Sequence, residues 1–247
     1  MKILYLTTEV EDYLSDSILY GLRKMYGPDV VDFPKKECMY ENYPIEKDNI
    51  YGFGFTLWKR LPDLNIDRDH VQKQLEDGYF DMVVFSDIYR QQNVFAHWTV
   101  YLLLDKLKKQ GKKIVFLDGT DDGFPTTVDA FNWGSYFKRD NPFKYKQIKN
   151  IGLSIPEAHL LRERPIKTKV FTRYVQCEEA YKIREIWDQC TNKRAFSEEK
   201  DYYNDLAQSK YGITMKKSGW DVPRHMENAS QWVVNCIYSK GWEWDDI

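Results

Sequence analysis

Residues 2–33, KILYLTTEVEDYLSDSILYGLRKMYGPDVVDF, carry the pattern that decides the fold. The run KILYLT is apolar and ends in small polar residues, which predicts a short buried strand. The next segment predicts an amphipathic helix that ends at Gly27-Pro28. Its apolar face is formed by Leu14, Ile18, Leu22 and Met25. DVVDF (29–33) then predicts a second strand, and the order strand, helix, strand is typical of a parallel α/β sheet.

The same alternation continues along the chain. Residues 67–78 and 97–111 predict amphipathic helices, and 80–86 and 112–119 predict the strands that follow them. We therefore predict a doubly wound, Rossmann-like domain over residues 1–165, with NIGLSIP (150–156) as its last strand.

A second α/β unit is predicted from residue 166 to residue 247, after the break RERPIKTK. Its predicted strands are 168–175, 211–216 and 233–239, and its predicted helices are 178–190, 201–210 and 223–232. This segment is short for a complete domain of its kind. We therefore expect two Rossmann-like parallel-sheet domains, the second small or incomplete.

The composition indicates a soluble, globular protein. Hydrophobic residues make up 43% of the chain and charged residues 30%. The net charge of −2 gives no cationic field that would attract nucleic acid or anionic lipid. The four cysteines are scattered, and neither a signal peptide nor an apolar run of membrane-spanning length is apparent. We expect reduced thiols, no membrane span and a cytoplasmic location.

Carboxylates follow several predicted strands, at the edge where open parallel sheets bind ligands. The turn DGTDDG (118–123) contains Asp118, Asp121 and Asp122, which could provide a general base, a metal site or only a solvated turn. Asp12, Asp16 and Asp87 lie at other strand ends or helix starts, where helix capping is an alternative to catalysis. The first strand is not followed by G-x-G-x-x-G, which argues against a dinucleotide cofactor.

The turn KKSGWD (216–221) is the strongest candidate binding site. It lies between a predicted strand and a helix that begins at Pro223, where free backbone N–H groups and the helix dipole favour an anion. Gly219 allows a close backbone approach, and Lys216, Lys217 and Arg224 could bind a diphosphate. Glu227 could accept hydrogen bonds from a ribose. The alternative is an ordinary capped helix with exposed lysines.

Residues 201–230, DYYNDLAQSKYGITMKKSGWDVPRHMENAS, resemble the C-terminal segment of CgeB-type, glycosyltransferase-like proteins. EVEDYLSDSILYGLR, VVDFPK, FDMVVFSDIYRQ, FLDGTDD and SYFKRDNPF resemble their N-terminal half. The resemblance implies a GT-B fold, with the acceptor on the first domain, the donor nucleotide on the second, and no metal in catalysis. It implies donor-site roles for Gly219, Arg224 and Glu227, and it places Asp118 or Asp122 towards the acceptor.

Two features depart from that family. Ser230-Gln231-Trp232 replaces its small residues, so Trp232 could crowd the nucleotide, and the sequence stops soon after the last helix. We expect either a shortened, inactive relative or a donor site completed by a partner or a second copy.

Together with these patterns, the resemblance implies a glycosyltransferase that moves a sugar from a nucleotide-diphosphate donor to a hydroxyl acceptor. It would need no cofactor or metal, and Asp118, Asp121 or Asp122 would accept the proton. One alternative is a non-catalytic binding or scaffold protein on the same fold. A weaker one is a DNA-base glycosyltransferase, because residues 138–169 contain nine Lys and Arg against three Asp and Glu. Tyr136, Phe137, Phe143 and Tyr145 lie within or beside this stretch.

Overall fold

The computed structural model describes residues 1–44, 49–90, 98–175, 190–191, 195–215 and 222–238. The chain divides into a first unit, Met1–Ser154, and a second unit, Ile155–Ile247. The sequence predicts this boundary after residue 165. The stretch before that point belongs to the second unit because its backbone bonds there: Leu161 N–H donates to the Ser230 carbonyl at 3.0 Å, and the His159 carbonyl accepts from Gln231.

The first unit is built on a six-stranded parallel sheet. Its strands are β1 (Ile3–Leu6), β2 (Val30–Phe33), β3 (Met82–Phe85), β4 (Lys113–Asp118), β5 (Ser135–Lys138) and β6 (Ile148–Asn150). Their order is β2-β1-β3-β4-β5-β6, and every neighbouring pair is parallel. The strand order reverses between β1 and β3, which is the switch point where doubly wound sheets bind ligands.

Three α-helices of the first unit are described: α1 (Tyr13–Tyr26), α2 (Val71–Glu76) and α3 (Trp98–Lys109). Successive strand residues point to opposite faces of the sheet, so Ile3 and Leu4 enter different cores. The core that contains Ile3 includes Leu14 and Leu19 of α1. The core that contains Leu4 includes residues of α2 and α3, namely Val71, Val100, Leu104 and Leu107. Helices therefore cover both faces.

The last two strands of this sheet differ from the sequence prediction. β5 was not predicted, because its two buried residues are the polar Tyr136 and Lys138, which obscure the apolar alternation of a strand. β6 ends at Asn150, so the prediction of a strand over 150–156 is wrong. Ile148 is buried and aligned with Tyr136 of β5, whereas residues 151–156 form no strand, although Ile151 N still donates to the Lys138 carbonyl at 3.1 Å.

The second unit contains a three-stranded parallel sheet. Its strands β7 (Lys169–Phe171), β8 (Ser209–Met215) and β9 (Val234–Tyr238) lie in the order β7-β8-β9. Two described helices, α4 (Glu199–Gln208) and α5 (Pro223–Ser230), precede and follow β8. The helix predicted over 178–190 lies outside the described residues apart from Cys190. The fold-class prediction, α/β with two parallel-sheet units, is confirmed.

No helix within the described ranges is long and apolar enough to cross a membrane.

Candidate functional site

Polar side chains meet at the switch point of the first unit. Thr7 and Thr8 follow β1, and Ser86 and Asp87 follow β3. Both threonine hydroxyls donate to Asp87 Oδ2 at 3.0 Å, which joins the two strand ends. Asp87 has a φ of 52°, a left-handed conformation that Asp tolerates better than most residues. The strand-end position of Asp87 thus brings it to the edge where ligands bind in such sheets.

Lys36 places a fully buried ammonium group in this cluster. Its Nζ lies 3.0 Å from Asp16 Oδ1 and 3.3 Å from Asp87 Oδ2, and it donates to the Val10 carbonyl at 2.5 Å. Both carboxylates are fully buried as well. One cation therefore faces two carboxylates away from water, and full ionisation would leave a buried net negative charge.

The excess of buried carboxylates over cations explains the pKa values of this cluster. Burial raises the pKa of Asp16 to about 7, against the lowering effect of the Lys36 charge. Burial also raises the pKa of Asp87, and its Oδ1 has no hydrogen-bond partner among the described residues. Burial alone would lower the pKa of Lys36, but the charges of Asp16 and Asp87 outweigh it and raise that pKa. The ammonium stays charged, while Asp16 loses its proton only near neutral pH.

Asp12 links the cluster to a third strand end. It caps α1 by accepting from Ser15 N at 2.8 Å, and its Oδ2 accepts from the Tyr89 hydroxyl at 2.7 Å. A Cβ on Gly119, just after β4, would lie 3.2 Å from both Asp12 oxygens. Asp16 Oδ2 in turn accepts from Asp12 N at 2.9 Å. Both side chains therefore cap the start of α1, which was the alternative to a catalytic role for them.

Asp16 should make the protein less stable as the pH rises from 4 to 7. The folded chain keeps this proton up to about pH 7, whereas the unfolded chain releases it near the ordinary aspartate pKa of 3.8. Unfolding therefore releases a proton in this window, and the free energy of unfolding falls by up to about 1.4 kcal/mol per pH unit. Asp16→Asn should flatten the slope between pH 5 and 7, measured by urea unfolding.

The two proteins are compared by the slope of the free energy of unfolding against pH and not by the free energy itself, because the new amide also changes the contact with Lys36. Asp69→Asn, at an exposed position of the first unit, serves as the control and should keep the wild-type slope. Equal slopes in wild type and Asp16→Asn would show that Asp16 does not hold a proton in this range.

Asp118, one of the predicted catalytic carboxylates, is buried and fully engaged. Its Oδ2 accepts from the Tyr136 hydroxyl at 2.6 Å and from Thr126 N at 3.0 Å, and its Oδ1 accepts from the Thr120 hydroxyl at 2.8 Å. Burial alone would raise its pKa, but the Tyr136 hydrogen bond and the Lys138 charge, 3.4 Å away, hold that pKa below its usual range. This geometry fits a carboxylate that stabilises the loop after β4 better than one that accepts a proton.

Asp121 and Asp122 lie on the outer side of the same loop. Asp121 forms an ion pair with Arg139, and its side chain is 43% exposed. Asp122 is 67% exposed and accepts from Phe124 N at 3.1 Å through Oδ1. The structure thus brings the three predicted carboxylates to one sheet edge, and Asp122 is the most exposed of them.

In the second unit, Arg224 and Glu227 lie on α5, the helix that follows β8. The Arg224 guanidinium lies over the rings of Tyr174 and Tyr202, 4.7 and 5.3 Å from their centroids. The Tyr202 hydroxyl donates to Glu227 Oε2 at 2.5 Å. Tyr202 is buried, and burial raises its pKa, so it remains a neutral donor. Tyr202 thus contacts both side chains.

The rest of the predicted donor site is only partly described. Lys216, Lys217 and Gly219 lie outside the described residues. Trp232, which sequence analysis placed near the nucleotide, follows the C-terminal end of α5, and its indole N–H donates to the Leu161 carbonyl at 3.0 Å. This contact directs the indole towards Leu161, whereas the predicted phosphate site lies at the opposite end of the helix.

Several residues of these clusters were missed by sequence analysis. Lys36 comes shortly after β2, so the rule that polar residues at strand ends build sites could have found it. Tyr202 lies in the segment that resembles the glycosyltransferase-like family, but its apolar ring indicated only a helix face. Tyr174 lies far from Arg224 in sequence, and no local pattern connects them.

Comparison with known proteins gave no match: the chain matches no protein-family model, no curated protein and no solved structure. The resemblance to CgeB-type proteins therefore stays a prediction.

Proposed function

We propose that the protein is a glycosyltransferase that uses a nucleotide-diphosphate sugar. The observation that carries the proposal is the grouping of Arg224 and Glu227 on the helix that follows β8, with Tyr202 contacting both. A strand, a turn and a helix start in a parallel sheet form the usual setting for phosphate binding. The resemblance assigns the donor to this unit and the acceptor to the first.

Each of the two residues fits one part of the donor. Arg224 keeps its charge at any physiological pH and can interact with phosphate oxygens. A cation there would stabilise the diphosphate as it leaves, when its negative charge increases. The Glu227 carboxylate suits the hydroxyl groups of a ribose, and the Tyr202 hydrogen bond fixes its orientation.

Asp122 is the predicted carboxylate that an acceptor can reach most easily, because it is two-thirds exposed. In the proposed reaction it takes the proton of the acceptor hydroxyl while that oxygen bonds to the anomeric carbon. The bond from that carbon to the diphosphate breaks, and the nucleoside diphosphate leaves with the electron pair. Asp118 supports the loop that carries Asp122.

Arg224→Ala should weaken binding of nucleoside diphosphates by about 10- to 100-fold, the range expected for a charge-assisted contact. The fold should survive, because Arg224 lies at the first turn of α5 and is only half-buried. Titration calorimetry with UDP, GDP, ADP and dTDP measures the affinity, and circular dichroism checks the fold.

Two further variants separate charge, shape and background effects. Arg224→Lys keeps the charge without the planar fork and should fall between wild type and Arg224→Ala. Lys200→Ala removes an exposed cation from α4 of the same unit and should bind like wild type. Unchanged affinity in Arg224→Ala would remove the assigned role. Binding without any sugar transfer would instead favour the non-catalytic alternative.

A further inference from the structure

Two phenylalanine rings lie exposed beyond the carboxyl ends of β4 and β5. Phe124 is 59% exposed and Phe143 is 58% exposed. Their centroids are 4.8 Å apart and their planes are inclined by 30°, so they present one continuous apolar surface. We propose that these rings, the ring platform, bind a neutral carbohydrate acceptor. This inference rests on the proposed function and names the class of its acceptor.

The loops that carry the rings are packed closely against each other. A Cβ on Gly123 would come within 2.6 Å of Pro142 Cγ and 2.7 Å of Phe143 Cε2, so only glycine fits beneath Phe143. The loop after β5 is closed by Asn141, whose side chain accepts from Tyr145 N at 3.0 Å and donates to the Tyr145 carbonyl at 3.2 Å. The rings are thus held in place although they face solvent.

Hydrogen bonds to buried side chains also hold the loop that carries Phe124. Thr126 N donates to the buried Asp118 carboxylate and to the Tyr136 hydroxyl, both at 3.0 Å. The buried Lys138 donates to the Thr120 carbonyl at 3.2 Å. A rigid support lowers the entropy lost when a ligand binds, which makes an ordered pair of exposed rings suitable for recognition.

A carboxylate beside the rings indicates the chemistry of the ligand. Asp122 accepts from the backbone N–H of Phe124 itself, and two-thirds of its side chain is exposed. A sugar has an apolar face of C–H groups that can lie on aromatic rings and hydroxyl groups that donate to carboxylates. An acceptor on the ring platform would therefore place its hydroxyl groups next to the proposed base.

Ion pairing removes part of the positive charge that nucleic acid would need at this surface. Two of the cations in the basic stretch are already neutralised, since Lys138 is buried beside Asp118 and Arg139 pairs with Asp121. The exposed part of Asp122 would repel a phosphate backbone. Exposed rings can stack on bases, but such sites also need a cationic groove.

Saturation-transfer NMR on the full chain tests the ring platform. The probes are neutral malto-, cello-, xylo- and chito-oligosaccharides, with single-stranded dT12 as the competing ligand. We expect transfer to the C–H groups of at least one oligosaccharide. Phe124→Ala and Phe143→Ala should each weaken this binding by about tenfold, near the upper end for one aromatic contact. Phe143→Trp should retain it.

A matched control is Tyr79→Ala, which removes a partly exposed ring that precedes β3 at the amino edge of the sheet and should leave binding unchanged. The ring platform is rejected if no oligosaccharide binds, if both alanine variants bind like wild type, or if only dT12 binds in a ring-dependent and salt-dependent way. Nucleotide binding without oligosaccharide binding would reject this inference alone. Ring-dependent oligosaccharide binding without nucleotide binding would reject the proposed function and leave the ring platform as a carbohydrate-binding surface without an acceptor role.

Discussion

Replacing Lys36 with methionine is expected to lower the free energy of unfolding by about 3 to 5 kcal/mol at pH 8. Methionine fills much of the same volume but leaves Asp16 and Asp87 buried without a cation, 3.0 and 3.3 Å from where the ammonium was. Breaking a buried pair is far more costly than losing an exposed one, because the remaining carboxylates keep their hydrogen bonds but have neither water nor a cation nearby. Urea unfolding followed by circular dichroism measures the change.

The neighbouring residue provides the control for this substitution. Lys35 pairs with Glu37 and Asp63 in partly exposed contacts, and Lys35→Met should cost about 1 kcal/mol or less. The cost of Lys36→Met should also shrink at pH 5, where Asp16 and Asp87 can take up protons in the folded chain. A Lys36→Met variant as stable as Lys35→Met, with no pH dependence of the difference, would contradict our description of the cluster.

Asp122→Asn is expected to lower the rate of sugar transfer by about 10² to 10⁴, the usual contribution of a general base. The amide keeps the size of the side chain and can still accept from Phe124 N, which lies 3.1 Å from Oδ1. It cannot take a proton from the acceptor hydroxyl. Release of the nucleoside diphosphate from a nucleotide sugar, in the presence of a bound oligosaccharide, measures the rate.

Binding and matched variants make this test specific. Asp122→Asn should bind the nucleotide as wild type does, because the donor residues belong to the second unit. Asp122→Glu should regain part of the rate, since it restores a carboxylate. If Asp121→Asn abolishes transfer while Asp122→Asn does not, the assignment of the base to Asp122 is wrong.

The fold was predictable where the apolar period was clear. β1 and β2 follow directly from the spacing in residues 2–33, because their buried residues are mostly apolar. α1 was predicted in position, but Met25 of its predicted apolar face is 68% exposed, and most of its buried residues are polar or charged. β5 was not predictable in this way, since the buried side chains of Tyr136 and Lys138 are polar and find partners only in the folded protein. The alternation of apolar and polar residues along one strand cannot show hydrogen-bond partners that come from the end of another strand.

The location of the sites could be predicted from the sequence better than the roles of the residues in them. The rule that ligands bind at the carboxyl edge pointed to Asp118, Asp121 and Asp122, and these carboxylates do lie there. The sequence could not show that Asp118 is saturated by hydrogen bonds whereas Asp122 is exposed. That difference depends on Tyr136 and Thr126, which reach Asp118 only through the packing of β4 and β5.

A nucleotide panel tests the central proposal most directly. Thermal unfolding of the full chain would be measured with UDP, GDP, ADP, CMP and dTDP, each with and without its sugar and magnesium. A ligand that binds only the folded state raises the melting temperature by mass action. We predict a clear rise with one nucleoside diphosphate and its sugar conjugate, and a smaller rise in Arg224→Ala. No rise with any of them would contradict the proposed nucleotide-sugar site and with it the glycosyltransferase function.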